Sequence, residues 1–187
     1  MIRERVSPLT LRVIRPYLVT ERLVLRPYEP EDAPRWIDLQ SRPDVTAHLP
    51  WPRRSPRQSQ KHLLNRVRHD RLTHHRDFMA LAVCLPTGAY LGDASMHMFQ
   101  NPAGYPPTAS LGWITLPEYQ GQGYATEAAT ALARLAFGTL GACLVSALIQ
   151  PHNAPSIAVA RRLGMEYRGH HPQDGNLYST GKTPQWQ

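Results

Sequence analysis

Two glycines set one residue apart between a strand and a helix constrain this chain more than any other feature. The run from Leu116 to Glu127 reads Leu-Pro-Glu-Tyr-Gln-Gly-Gln-Gly-Tyr-Ala-Thr-Glu. The apolar stretch Ser110–Leu116 ends at Pro117, the chain passes Gly121 and Gly123, and an alanine-rich segment with helical spacing follows at once. Successive backbone N–H groups at such a helix start converge on one point, and the helix dipole adds about half a positive charge there. Glycine lets an anionic group come close to the backbone. The segment is therefore suited to a diphosphate.

Two phosphate-binding patterns do not fit. A nucleoside triphosphatase loop needs Lys and Ser or Thr after its last glycine, and Tyr124 stands there. A dinucleotide fingerprint needs a third glycine where this chain has Thr126. It also needs an acid at the end of the next strand, which here ends in Ile149-Gln150.

The rest of the chain predicts a mixed α+β sheet. Thr20 to Arg26 alternates polar and apolar and reads as a strand ended by Pro27. Glu29 to Asp32 suits a helix start, and Arg42 to Arg57, interrupted by Pro43, Pro50, Pro52 and Pro56, reads as a loop. Ser55 is placed to cap a helix from Pro56 that carries Leu63, Leu64, Val67 and Leu72. Asp77–Leu85 and Tyr90–Gln100 form a hairpin around Pro86-Thr87-Gly88, and Asn101–Thr108 is a loop. After the Gly123–Gly138 helix come a strand at Ala142–Gln150, a helix at Pro155–Leu163 closed by Gly164, and strands at Met165–His170 and Asn176–Thr180. That order, about seven strands and four helices, is not an alternating βαβα wheel.

Composition removes several classes. Hydrophobic residues make up 42% of the 187 and charged residues 19%, too apolar for a disordered chain. Two cysteines exclude a disulfide scaffold, and Cys84 and Cys143 each sit in an apolar run, where a buried small hydrophobe is expected. The longest apolar run, Phe78–Leu85, is far short of a membrane span. Arg3, Arg5, Arg12 and Arg15 interrupt any leader-like apolar stretch, so a cytoplasmic location is expected. The histidines show no metal-ligand spacing with acids or cysteines, so no metal site is expected.

The net charge of +7 is concentrated. Residues 52–76 carry Arg53, Arg54, Arg57, Lys61, Arg66, Arg68, Arg71 and Arg76 against Asp70, which accounts for the whole excess. Such a run is either a solvated face or a surface for an anionic partner, whether acidic protein, peptide or RNA.

The motifs together resemble the GNAT superfamily of acetyl-CoA-dependent N-acetyltransferases. Gln120-Gly121-Gln122-Gly123-Tyr124-Ala125 is similar to its [Arg/Gln]-x-x-Gly-x-[Gly/Ala] signature. Thr20-Glu21-Arg22-Leu23-x-Leu25-Arg26-Pro27, Gly123 to Ala128, and Asn153-x-x-Ser156 with Leu163-Gly164-Met165 resemble the subgroup containing ribosomal-protein N-terminal acetyltransferases. The resemblance spans residues 19–187 as one domain, with 1–18 as an N-terminal extension. It implies a sheet splayed at its centre for the cofactor. It further implies acetyl transfer from acetyl-CoA to a primary amine, with a protein or peptide N-terminal amine as the first candidate acceptor. A small-molecule acceptor such as an aminoglycoside or polyamine, or a catalytically weak acyl-CoA-binding module, stands as the alternative. Monomer and homodimer are both open.

The resemblance also implies site residues. The backbone of Ile114, Thr115 and Leu116 would pair with the pantetheine arm. Gln120, Gly121, Gln122, Gly123, Tyr124, Ala125 and Thr126 would hold the pyrophosphate. Asn153 would bond the pantetheine or nearby backbone, and Ser156 would donate to the departing thiolate. Glu127 is expected to be structural. Many relatives carry Glu where this chain has Ser110, so the base is unassigned, with Asp93, His97 and a water relayed by Ser110 as candidates. His48, Trp51 and Trp113 would line the acceptor mouth or fill the core beneath it.

Overall fold

The computed structural model describes residues 16–49, 51–72, 78–99, 105–172 and 175–181. The expectation for residues 1–15 of the extension, and for Arg76, lies outside them. Eight strands form one sheet: β1 (Leu18–Val19), β2 (Val24–Pro27), β3 (Phe78–Cys84), β4 (Tyr90–Phe99), β5 (Thr108–Thr115), β6 (Leu144–Ile149), β7 (Glu166–His171) and β8 (Gly175–Gly181). Their order is β1-β2-β3-β4-β5-β6-β8-β7, and every pairing is antiparallel except β5 with β6. Five α-helices accompany them: α1 (Ala33–Ser41), α2 (Pro43–Thr46), α3 (Pro56–Arg68), α4 (Tyr124–Arg134) and α5 (Ala154–Arg162).

Two of these elements exceed the expected seven strands and four helices. β1 is only two residues long and exists because Leu18 and Val19 pair with Leu25 and Val24. α2 is a single turn inside the region expected to be loop, with Pro43 at its first position, where a missing N–H costs nothing. Ser55 caps α3 as expected: its Oγ accepts from Gln58 N at 3.3 Å, and Gln58 Oε1 accepts from Ser55 N at 2.8 Å.

Alternation along the strands divides the core between the two faces of the sheet. In β3, Met79, Leu81 and Val83 join the larger cluster with Ala128, Ala129, Leu132 and Ala133 of α4. Ala80, Ala82 and Cys84 face the other way and pack with Trp36 and Leu39 of α1 and Leu63 of α3. Cys84 is buried as expected. Cys143 is not; it is exposed, because the chain emerges there between α4 and β6, and its thiol reaches only the Pro106 carbonyl at 3.7 Å.

Candidate functional site

β5 and β6 start side by side and then part. Their parallel pairing covers only Thr108–Ser110 with Leu144–Ser146, although β5 runs on to Thr115 and β6 to Ile149. Groups along an antiparallel strand alternate between its two edges. Leu116 N–H donates to Leu91 O, on the β4 side, at 2.8 Å. Trp113 and Thr115 therefore turn their backbone groups toward the gap. Thr115 O already accepts from Gln120 Nε2 at 2.9 Å, which ties the glycine turn to the strand edge. Of the expected trio, Leu116 and, by the same alternation, Ile114 turn their backbone groups to β4, and only Thr115 turns its own toward the gap; Ile114 and Thr115 both line a cavity in the opening.

That first cavity, of about 650 Å³, is bounded by the glycine turn and by the starts of α4 and α5. Gly121 and Gly123 take φ of +72° and +84°, left-handed values that an L side chain rarely adopts. Gly123 is the N-cap of α4, and the first α4 N–H to find an i−4 partner is that of Glu127, bonded to Gly123 O at 3.0 Å. The amides of Tyr124, Ala125 and Thr126 precede it and are the unpaired donors of the helix start. Gln120, Gly121, Gly123, Tyr124, Ala125 and Thr126 all line this cavity; Gln122 does not. Gln122 shapes the turn instead, with its Nε2 donating to Glu118 O at 3.0 Å.

Glu127 is a brace. Its carboxylate accepts from Thr20 Oγ1 at 2.6 Å, Arg22 N at 2.9 Å and Arg22 Nε at 2.7 Å. Burial pushes its pKa up, but the bonds from Thr20 and Arg22 outweigh that and hold it below the usual value. Arg22 in turn lies 4.6 Å over the Tyr124 ring and donates to Gln122 O at 3.0 Å. A cation thus stands at the mouth of the glycine turn, which the sequence reading missed. The only available signal was the Thr-Glu-Arg-Leu strand motif itself.

A second cavity, of about 470 Å³, opens on the α1–α3 face of the sheet. The two cavities share His48, Leu49, Trp113, Ile114, Asn153 and Ser156, so they meet at the start of α5. Asn153 is the N-cap of that helix, its Oδ1 accepting from Ser156 N at 3.2 Å. Trp51, Ser110, His97 and Asp93 line the second cavity, so the three histidine and tryptophan residues expected at the acceptor mouth do converge there.

The floor of the second cavity is a buried polar cluster. Asp93 Oδ2 accepts from Arg66 Nη1 at 2.8 Å and Tyr28 Oη at 2.9 Å, and Tyr28 Oη lies 3.0 Å from Tyr90 Oη. Burial pushes the Asp93 carboxyl above its usual range, opposed by Arg66 and Tyr28. Arg66 itself is 4% exposed, with its guanidinium 4.5 Å from the Trp36 ring. The basic run of residues 52–76 is therefore not uniformly a solvated face. Ser59, Leu63 and Arg66 form one buried stripe of α3, spaced so that they share a side. His62 stacks on Trp36, and burial, with Arg66 and Arg54 nearby, pushes its pKa down to about 4. Arg54, His62, Arg66 and Phe78 all line this cavity; from sequence Arg54 and Arg66 stood out only as members of the basic run.

Known proteins resemble this chain in sequence and fold. The acetyltransferase (GNAT) domain family matches residues 22–166. Uncharacterized N-acetyltransferase YnaD of Bacillus subtilis (strain 168) is 39% identical over 62 residues, 33% of this chain and 36% of that relative, so the match spans little more than a third of its length. Uncharacterized N-acetyltransferase p20 of Bacillus licheniformis is 26% identical over 152 residues, 81% of this chain and 83% of the relative. The crystal structure of a GNAT-family acetyltransferase from Bacillus anthracis superposes with a TM-score of 0.72 over 88% of this chain and 98% of that one. At 22% identity, that likeness is one of fold.

Proposed function

The chain belongs to the acetyltransferase (GNAT) domain family, and on that premise we propose that it moves an acetyl group from acetyl-CoA to a primary amine, with a protein or peptide N-terminal amine as the acceptor. The observation that carries this is the parting of β5 from β6 directly beside the glycine turn. It leaves a strand edge for an amide-bearing arm and a set of helix-start N–H groups for a diphosphate. The N-terminal amine rests on the subgroup motifs at Thr20–Pro27 and Asn153–Ser156.

Acetyl-CoA, when bound, supplies the acetyl group as a thioester. The chain's own residues do the rest. Trp113 N–H, at the gap, is suited to stabilise charge that develops on the carbonyl oxygen. Ser156, in the first turn of α5 and at the junction of the two cavities, is suited to donate to the leaving sulfur. The acceptor amine must lose a proton before it attacks. Asp93 already takes two donors, whereas His97 lines the acceptor cavity between Phe78 and Phe99, at ring distances of 4.4 and 6.3 Å. His97 is exposed on β4, but its ring is flanked by Phe78 and Phe99; the partial loss of solvent there, then Arg66 and His69, holds its pKa below the usual value, which favours the neutral imidazole that accepts a proton.

Polycationic acceptors such as aminoglycosides fit less well, because Arg54 and Arg66 line a cavity whose one carboxylate, Asp93, is already paired. The test is acetyl-CoA turnover with free N-terminal peptides, a polyamine and an aminoglycoside, followed by thiol release and product mass. Acetylation of the peptide α-amine, at least about 10-fold faster than the polycations, is the expected result. Acetyl-CoA binding with no thiol release in the presence of any amine would leave only a binding module.

A further inference from the structure

The charges of the second cavity do not balance, and the imbalance has an address. Arg66 and Asp93 are a closed pair, 2.8 Å apart, with side chains 5% and 1% exposed. Arg54, half-buried on the same cavity, has no acid partner among the described residues. Its Nη1 donates at 2.7 Å to Gln40 Oε1, a neutral acceptor that also takes Trp51 Nε1 at 3.3 Å. Its guanidinium lies 4.8 Å over the Trp51 ring. Gln40 is fully buried in α1, so these contacts fix the cation in place without neutralising it. Burial first, and Arg66 second, lower the Arg54 pKa, as expected for a cation short of a counter-charge. Three further polar atoms at this cavity, Arg66 Nε, His62 Nδ1 and His48 Nδ1, are buried with no hydrogen-bond partner among the described residues. Buried polar groups are rarely left so.

We propose that the acceptor carries a carboxylate close to its amine, and that Arg54, in the field of Arg66, binds that carboxylate in the second cavity. This rests on the acetyl-transfer reading above, in which that cavity holds the acceptor. A carboxylate matches the imbalance: two guanidinium charges against Asp93 leave one positive charge, which a monoanion cancels and a phosphate dianion would overshoot. The planar fork of Arg suits a carboxylate. The arrangement also serves the chemistry, because nearby cations lower the pKa of an ammonium and so raise the share of neutral amine. The other described basic residues of the run behave differently: Arg53, Arg57, Lys61, Arg68 and Arg71 are exposed and line neither cavity.

Matched acceptors test this. One pair is a peptide amide beginning Ser-Glu-Glu-Ala and its Ser-Gln-Gln-Ala counterpart; the other is L-serine and L-serinamide. The peptide pair reports a side-chain carboxylate and the amino-acid pair an α-carboxylate. With wild type, kcat/KM for the carboxylate member of at least one pair should exceed its amide by about 10-fold or more, as a charge-assisted bond allows. Arg54→Gln should bring that ratio near one, Arg54→Lys should retain part of it, and the KM for acetyl-CoA should stay as in wild type. Calorimetric binding of the same compounds to CoA-saturated protein provides a readout that needs no turnover. Equal handling of carboxylate and amide in both assays, no binding of either carboxylate, or a preference that survives Arg54→Gln would overturn the proposal. If no amine is acetylated yet carboxylate-selective binding is lost in Arg54→Gln, the transfer reading fails and the subsite stands.

Discussion

The two cavities are built from different materials. The first is made of backbone: a strand edge released from its neighbour, two glycines at positive φ, and the N–H groups that open α4. The second is made of side chains drawn from distant parts of the sequence: Arg54 and Arg66 around α3, Asp93 and His97 on β4, Ser110 and Trp113 on β5. Backbone recognition needs only that the chain turn correctly, and it accepts one ligand chemistry. Side-chain recognition needs a packed tertiary arrangement, and under the proposed function it is the part that would choose the acceptor. Ser156 and Asn153 stand where the two meet.

Four single substitutions separate the two constructions, and the largest effect should fall on the second cavity. Arg66→Met removes the cation paired with Asp93 and leaves a buried carboxyl supported by Tyr28 alone. Breaking a buried pair on one side costs about 3–5 kcal/mol. For a chain of this size that is a fall in melting temperature of roughly 10 °C, read by calorimetry. Adding Asp93→Asn to the variant should recover part of the loss. A melting point within 2 °C of wild type, on the order of 1 kcal/mol or less, would mean that the cluster does not hold this face together.

Gly123→Glu attacks the backbone construction. It places a side chain where φ is +84° and a Cβ 3.4 Å from Arg22 Nη2, and brings a negative charge to the diphosphate position. Acetyl-CoA affinity should fall about 100-fold, and the stabilisation that acetyl-CoA gives wild type should vanish. A thermal shift equal to that of wild type would move the cofactor away from this turn.

The smallest effects belong to the junction. Ser156→Ala should lower kcat about 10-fold while acetyl-CoA binding stays near wild type, the pattern of a group that acts in the transition state. Binding lost with kcat retained would make Ser156 a contact residue only. Asn153→Ala should instead cost about 1 kcal/mol of stability, because its Oδ1 caps α5 through Ser156 N. These variants sharpen the contrast: of two neighbours three residues apart, one is expected to affect rate and the other stability.

Local signals were legible wherever one segment carries its own cause. The β3–β4 hairpin follows from two apolar runs around Pro86-Thr87-Gly88, α3 from Ser55 with Pro56, and α5 from Pro155 with Gly164 after it. β1 and α2 escaped because two strand residues, or one helical turn, carry no periodicity to detect. Arg66 escaped for a different reason. In sequence it is one more cation in a basic run, and only the approach of β4 from 27 residues away supplies the carboxylate that allows it to be buried.

By itself, then, the sequence determined the glycine turn, the order of strands and helices, and the resemblance that points to the family. These depend on φ preferences, capping and alternation, which act over a few neighbouring residues. Only the tertiary structure decided which of the described cations in residues 52–72 face a cavity, that Leu116 is spent on β4 while Trp113 and Thr115 face the gap, and that Arg54 has no counter-charge among the described residues. Charge compensation and edge pairing depend on which distant segments come within a few ångströms of one another, and no local preference encodes that distance.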